Sequence, residues 1–362
     1  MKSGHPWQLN QVKDGKTPAY PFSQTVLQPP QGYTWQDITY IIGGYNWKAR
    51  FLDKNGYIVT GPPDGSGGAD YLNQFNLSNP LLSKNGTWVN YHSGEAKLPY
   101  NCGACHTTGY SANGHQDKLE GITGTWAEPG VQCEACHGPG SLHASNPTGV
   151  RMIIERDSAL CTQCHLPGPQ RTPAADGATT AAATQTVTST QGVSSTQVTA
   201  ANLFIQHNDQ YGGMFLGKHD ILSCLSCHDP HTGVVQASQT TTPASASQVC
   251  ASCHFQEAQF QKNQKHTAVN VSCIDCHMPR LIQSAWSIPQ RYTADIRSHV
   301  MTIDPYLINQ AGPDGQPISQ AVSLDLACRQ CHNQQLGSVK ADQQLTNMAI
   351  GYHARPTSQS GK

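Results

Sequence analysis

The stretch "YNCGACHTTGY", residues 100–110, holds two cysteines three positions apart with a histidine directly behind the second. The same arrangement returns as "CEACH" at 133, "CTQCH" at 161, "CLSCH" at 224, "CASCH" at 250, "CIDCH" at 273 and "CRQCH" at 328. These seven copies use all 14 cysteines of the 362-residue chain: Cys102, Cys105, Cys133, Cys136, Cys161, Cys164, Cys224, Cys227, Cys250, Cys253, Cys273, Cys276, Cys328 and Cys331. Structural zinc pairs two C-x-x-C units into one four-ligand site, which an odd number of units cannot satisfy, and it does not require a histidine after every second cysteine. Disulfide frameworks show varied spacings rather than one spacing repeated. Two thiols three apart can instead add to the two vinyl groups of one haem while the adjacent imidazole reaches the iron. The reading is seven covalent haems c, with His106, His137, His165, His228, His254, His277 and His332 as proximal ligands.

Composition agrees. Only 37% of residues are hydrophobic and 7% aromatic, little material for a chain of this length to build a side-chain core. Seven haems amount to one per about 52 residues, and porphyrins can supply the missing apolar filling. A formal charge of -1 with 12% charged residues disfavours nucleic-acid binding. No apolar run reaches the roughly 18 residues a membrane helix needs, and no signal peptide is recognisable in this stretch.

The first cysteines of successive motifs are 31, 28, 63, 26, 23 and 55 residues apart. That spacing divides the chain into an N-terminal β-rich segment (1–91), a first tri-haem cluster (92–171), a Thr/Ser/Ala/Gln loop (172–200) and a tetra-haem part (201–362) with a polar insertion near 235–248. Within the first segment, "ITYIIGGYNWKARFLDKNGYIVTG" alternates β-branched and aromatic residues. Asn55-Gly56 marks a turn and Asn85-Gly86 precedes the strand-like "TWVNYH", so a small β-meander is expected. Elsewhere short helices and irregular coil are expected, with "AQFQKNQKH" (258–266) the best helical stretch. Asn76, Asn85 and Asn270 stand in N-x-Ser/Thr sequons.

Each iron takes a second axial ligand or stays open. Ten histidines lie outside the motifs, more than the seven irons require, which favours closed, bis-histidine, electron-transferring haems over catalytic ones. "CxxCK", a variant with lysine as ligand, is absent.

Haem attachment of this kind resembles that of c-type cytochromes, which mature outside the cytoplasm. "WAEPGVQCEACHGPGSLH", "HDILSCLSCHDPH", "VSCIDCHMPR", "DIRSHVMTI" and the β-segment "YIIGGYNWKARFLDKNGYIVTG" resemble a family of multihaem cytochromes that includes electron carriers of nitrogen metabolism and subunits of extracellular cytochrome filaments. The resemblance implies a multihaem cytochrome c fold, mostly coil with short helices around a packed haem array plus the N-terminal meander. Position by position it marks His143, His207, His219, His231, His266 and His299 as distal ligands, with His5 completing a set of seven and His353 also resembling a ligand position. His92, His115 and Met214 are not expected to ligate. Relatives often carry a further haem motif just before a segment like "MKSGHP", so His5 is expected to serve an iron elsewhere, including one in a neighbouring molecule. The implied function is long-range electron transfer in a head-to-tail polymer of the chain, extracellular or at the cell surface, with the periplasm as the alternative place. The alternatives are a reductase of nitrite, hydroxylamine or sulfur oxyanions with one open haem, and a monomeric periplasmic shuttle.

Overall fold

The computed structural model describes residues 3–16, 26, 28–66, 68–165, 210–232, 249–259, 264–311, 319 and 321–353. The Thr/Ser/Ala/Gln loop and the polar insertion expected from sequence lie outside the described residues.

The N-terminal alternation forms a five-stranded antiparallel sheet in sequential order: β1 (Leu9–Gln11), β2 (Tyr40–Gly43), β3 (Lys48–Leu52), β4 (Gln74–Asn76) and β5 (Thr87–Val89). It is the expected meander. Successive strand residues point to opposite faces, and here both faces are covered. Tyr40, Ile42 and Leu52 pack on one side with Leu9, Tyr100, Ile122 and Trp126, whereas Ile41, Ala49 and Phe51 pack on the other with Ile38 and Val59. The first face carries the chain directly into the first motif, because Tyr100, fully buried, stands two residues before Cys102. Asn55-Gly56 makes the expected turn, with Gly56 at φ +84° and Asp53 accepting from the Asn55 and Tyr57 amides at 2.9 Å each.

A short pair, β6 (Thr107–Thr108) with β7 (Glu128–Pro129), follows. The longest strand was not foreseen: β8 (Arg280–Ile288) pairs with β9 (Thr293–Arg297) in a hairpin bent by register shifts between Arg280 and Ser287. The bend is organised by Asp295, a fully buried carboxylate that accepts from the amides of Ser284, Ala285 and Trp286 at 2.7, 2.7 and 2.8 Å. The hairpin docks on the N-terminal sheet. Asn76 donates to the Ala285 carbonyl at 2.9 Å, the Trp286 indole N–H donates to the Leu77 carbonyl at 2.6 Å, and the Lys48 ammonium donates to the Ser284 carbonyl. Burial brings Lys48 down to about 8, with the Arg50 charge adding to the effect. Asn76 is thereby committed to a buried contact and is no sugar acceptor in the folded chain, whereas Asn85 and Asn270 are exposed.

Helices are short, as expected. The segment 258–266 contributes to two of them, Phe255–Gln259 and Gln264–Ala268. The long helix is Asp342–Gly351 near the C-terminus. A third apolar cluster, Leu281, Val300, Val322, Leu326 and Ala327, supports the last motif. Among the described residues no helix is long and apolar enough to cross a membrane.

Candidate haem-binding sites

Each motif is built as about one helical turn. Helical geometry sets residues three and four apart on one face, so both sulfurs and the imidazole look the same way. The i-to-i+4 bond that closes this turn is present in the motifs at 102, 224, 250 and 328, where the histidine amide donates to the first cysteine's carbonyl at 2.9–3.1 Å. Local anchors fix each turn to the fold. Gly103 sits against Tyr110 so tightly that a Cβ would lie 2.5 Å from the ring. Ser272 and Asp275 form a capping box before the sixth motif, and Arg297 of β9 donates to Asp275 and to the carbonyls of Ile274 and Met278. Ser323 caps the helix Leu324–Cys328 by accepting from the Leu326 amide.

Opposite six of the seven motif histidines stands a histidine from elsewhere in the chain. The ring centres are 6.2 Å apart for His165 and His5, 6.0 Å for His137 and His231, 6.0 Å for His228 and His299, 5.9 Å for His254 and His219, 6.0 Å for His277 and His353, and 5.9 Å for His332 and His266. Ordinary ring contacts scatter over about 4.5–7 Å, yet these six fall within a few tenths of an ångström. Two metal–imidazole bonds of about 2 Å, with roughly 1 Å more from each nitrogen to its ring centre, span about 6 Å. The residues therefore fit a haem iron held between two imidazoles.

Second contacts orient the rings. Nδ1 of His137 meets the Ile153 carbonyl at 2.6 Å, Nδ1 of His277 the Met301 carbonyl at 2.9 Å and Nδ1 of His332 the Ser338 carbonyl at 3.1 Å. His165 meets Gln210 and His266 meets the Tyr352 hydroxyl, each at 3.0 Å. Occupying Nδ1 leaves Nε2 for a metal. Burial also keeps imidazoles in the neutral form that coordinates. It brings His299 down to about 4, helped by His228 and His165, and lowers His5, His228, His266 and His353, in each case with the facing or a neighbouring imidazole adding to the effect.

Sequence and structure differ at His5. His5 faces His165 of its own chain, which corrects the expectation of an iron in a neighbouring molecule. The reason is a close backbone crossing: the Val131 amide donates to the His5 carbonyl at 3.0 Å, and Gly130, at φ +74°, lies where a Cβ would come within 2.0 Å of the Pro6 carbonyl. Only glycine admits this approach, and it folds the N-terminus back over the 97 residues that separate His5 from Cys102. His143 faces no motif ring among the described residues. Its Nδ1 meets the Val150 carbonyl at 2.6 Å, and it lines a surface hollow of about 390 Å³ with His137 and Met152. His207 lies outside the described residues. His92 is bonded to Glu95 and His115 to the Ile122 carbonyl, and Met214 is a buried apolar residue.

Two family descriptions match parts of the chain: "Cytochrome c7 and related cytochrome c" over residues 88–166, and a doubled CXXCH motif over residues 219–259. No curated protein matches. Among solved structures, the octahaem sulfite reductase MccA of Wolinella succinogenes is similar with a TM-score of 0.55 at 16% identity, covering 96% of this chain and 68% of that one. The outer cell wall cytochrome OcwA is similar with a TM-score of 0.49 at 19% identity, over 97% of this chain and 82% of that one. An undecahaem cytochrome from the S-layer of Carboxydothermus ferrireducens gives a TM-score of 0.41 at 19% identity over 77% of this chain, which spans about half of that protein's length (48%). The two matching segments are those of haem-attaching c-type cytochrome families, and the fold is shared with a multihaem protein, in agreement with haem c at the repeated CxxCH motifs.

Proposed function

We propose that the chain carries seven haems c, each closed by two histidines, and that it conducts electrons over long distances through them outside the cytoplasm. The observation that carries this reading is the set of six facing imidazole pairs at 5.9–6.2 Å. Bound haem supplies one-electron chemistry at an iron whose charge changes while its ligands stay in place. The polypeptide's part is to hold both axial imidazoles, to keep them neutral by burial, and to fix their tautomer through carbonyl and side-chain acceptors. A reductase needs one iron with an open axial position. Six facing pairs would close six of the seven irons, and this preponderance of closed positions favours electron transfer over catalysis. The proposal extends to an extracellular filament subunit on the likeness to cell-surface cytochromes seen in the sequence. Since His5 faces its own chain, a polymer would be joined through other contacts.

Intact mass should exceed the polypeptide by seven haems. Electron paramagnetic resonance of the oxidised protein should be low-spin throughout, and a stoichiometric high-spin signal accompanied by turnover of nitrite, hydroxylamine or tetrathionate would replace conduction with catalysis. Negative-stain microscopy separates filaments from monomers.

A further inference from the structure

A thioether sulfur is bonded to the edge of its porphyrin, so cysteines of two motifs that touch bring two porphyrin edges together. The contacts between motifs therefore trace the order of the haems, and that order is not the order of the sequence. Cys105 of the first motif lies against the third: its thiol is 3.9 Å from the Gln163 carbonyl, and the Cys164 thiol is 4.0 Å from the Cys105 carbonyl. The third motif also meets the fourth, where Ser158, at the head of the helix carrying Cys161, bonds the Cys224 amide at 3.0 Å and the Cys224 thiol at 3.4 Å. The sixth and seventh motifs also adjoin, the helix Cys273–His277 packing on the helix Leu324–Cys328.

The second motif is set differently. His137 is faced by His231, which follows the fourth motif by three residues and stacks within 5° of parallel. It is the one motif in which both cysteines are exposed. The first motif reaches the third without it.

We infer that electrons pass from the haem of the first motif directly to those of the third and fourth, with the haem of the second motif set to the side of that path and exposed there as a lateral port for electron exchange. This rests on the proposal that the chain carries seven conducting haems. The second haem is then a side branch, and the conduit has three ends rather than two.

The test uses the matured protein with exposed Asn113 and Gln343 each replaced by cysteine. These are its only free thiols once all 14 native cysteines carry haem, and they bridge two gold contacts from the first motif to the last. Removing the second haem (Cys133→Ala with Cys136→Ala) should leave six haems by mass and change end-to-end conductance by less than about twofold. Removing the third (Cys161→Ala with Cys164→Ala) should lower it at least tenfold. Equal losses would overturn the branch. A parent protein with fewer than seven haems by mass would instead overturn the proposal on which the branch rests. If the six-haem variants do not mature, iron positions from electron cryomicroscopy of the parent decide: a second iron beside the third, off the line from first to third, supports the branch, and one lying between the first and third irons refutes it.

Discussion

Residues 3–131 and residues 132–279 are regions of similar length built from different material. The first buries Leu9, Ile41, Phe51, Leu52, Tyr100 and Ile122 on the two faces of its sheet. The second holds five of the seven motifs, and among its described residues Met214 is the only buried hydrophobic side chain. Its apolar residues stand outside instead: Leu142, Ile153, Ile154, Ile221 and Val269 are each more than 60% exposed. Helices of five to seven residues are too short to persist in water without packing. The comparison teaches that a side-chain core stands where motifs are few, whereas the region dense in motifs lacks one and is the region that the proposed haems would fill.

The largest effect expected from this difference is on the chain made without haem, by expression in cytoplasm that lacks the attachment machinery. Hydrogen exchange should then show protected amides in β2 and β3 and unprotected amides in the helices Cys133–His137 and Ala159–His165. Equal protection in both regions would mean that haem is not what orders the second.

Smaller effects separate the regions within the matured protein. Phe51→Ala should cost about 3–5 kcal/mol, the range for emptying a buried aromatic site, with the haem count by mass unchanged. Ile221→Ala in the second region, at a side chain 87% exposed, should stay within about 0.5 kcal/mol in the same thermal unfolding measurement. A large loss at Ile221 would show that it packs against something the side chains do not provide. Asp295→Asn weakens the acceptor for three amides at the bend of β8, and a cost of about 1–3 kcal/mol is expected. Because the bent hairpin docks on the sheet through Lys48, Asn76 and Trp286, its unfolding should remain coupled to the sheet's; two separate transitions in the parent would break that link.

How much of this was legible beforehand follows from where each signal lies. The candidate attachment motifs are legible in the sequence because cysteine and histidine must be adjacent to reach one porphyrin. The meander was legible in the alternation of residues 38–60, since strand periodicity is local. Distal histidines were harder: His5 and His165 are brought together by a backbone crossing whose only local trace is Gly130. His143 has the same kind of context as a ligand, and its Nδ1 meets the Val150 carbonyl as Nδ1 of His137 meets that of Ile153, but no motif ring faces it among the described residues. The hairpin 280–297 was missed because its bend depends on Asp295, which reads as an ordinary polar residue until three amides converge on it. "RLIQSAWSI" did carry the signal of a strand, in apolar residues spread along a segment between two motifs.

The smallest effect lies at the rim of the N-terminal region and tests whether its stability responds to pH as a side-chain core should. Asp37 closes a capping box with Thr34, accepting from the Thr34 amide at 2.9 Å and its hydroxyl at 2.6 Å, and it meets Lys54 at 2.9 Å. The Thr34 hydroxyl first, then Lys54 and the Thr34 amide, hold its carboxyl well below the usual carboxylate range. A carboxyl that is more acidic when folded binds fewer protons in the native than in the unfolded state, so stability rises with pH through that interval. Its contribution is fully present above the unfolded value near pH 4 and disappears as pH falls through the lower folded value. The group is partly exposed and its partner Lys54 is 66% exposed, so screening keeps the gain small. Asp37→Asn should therefore cost about 0.5–1 kcal/mol at pH 7, a typical value for a lost cap, and the parent and variant should converge as the unfolding midpoint is followed from pH 5 down to pH 2. Curves that stay parallel over that range would remove Asp37 from the acid response of the sheet.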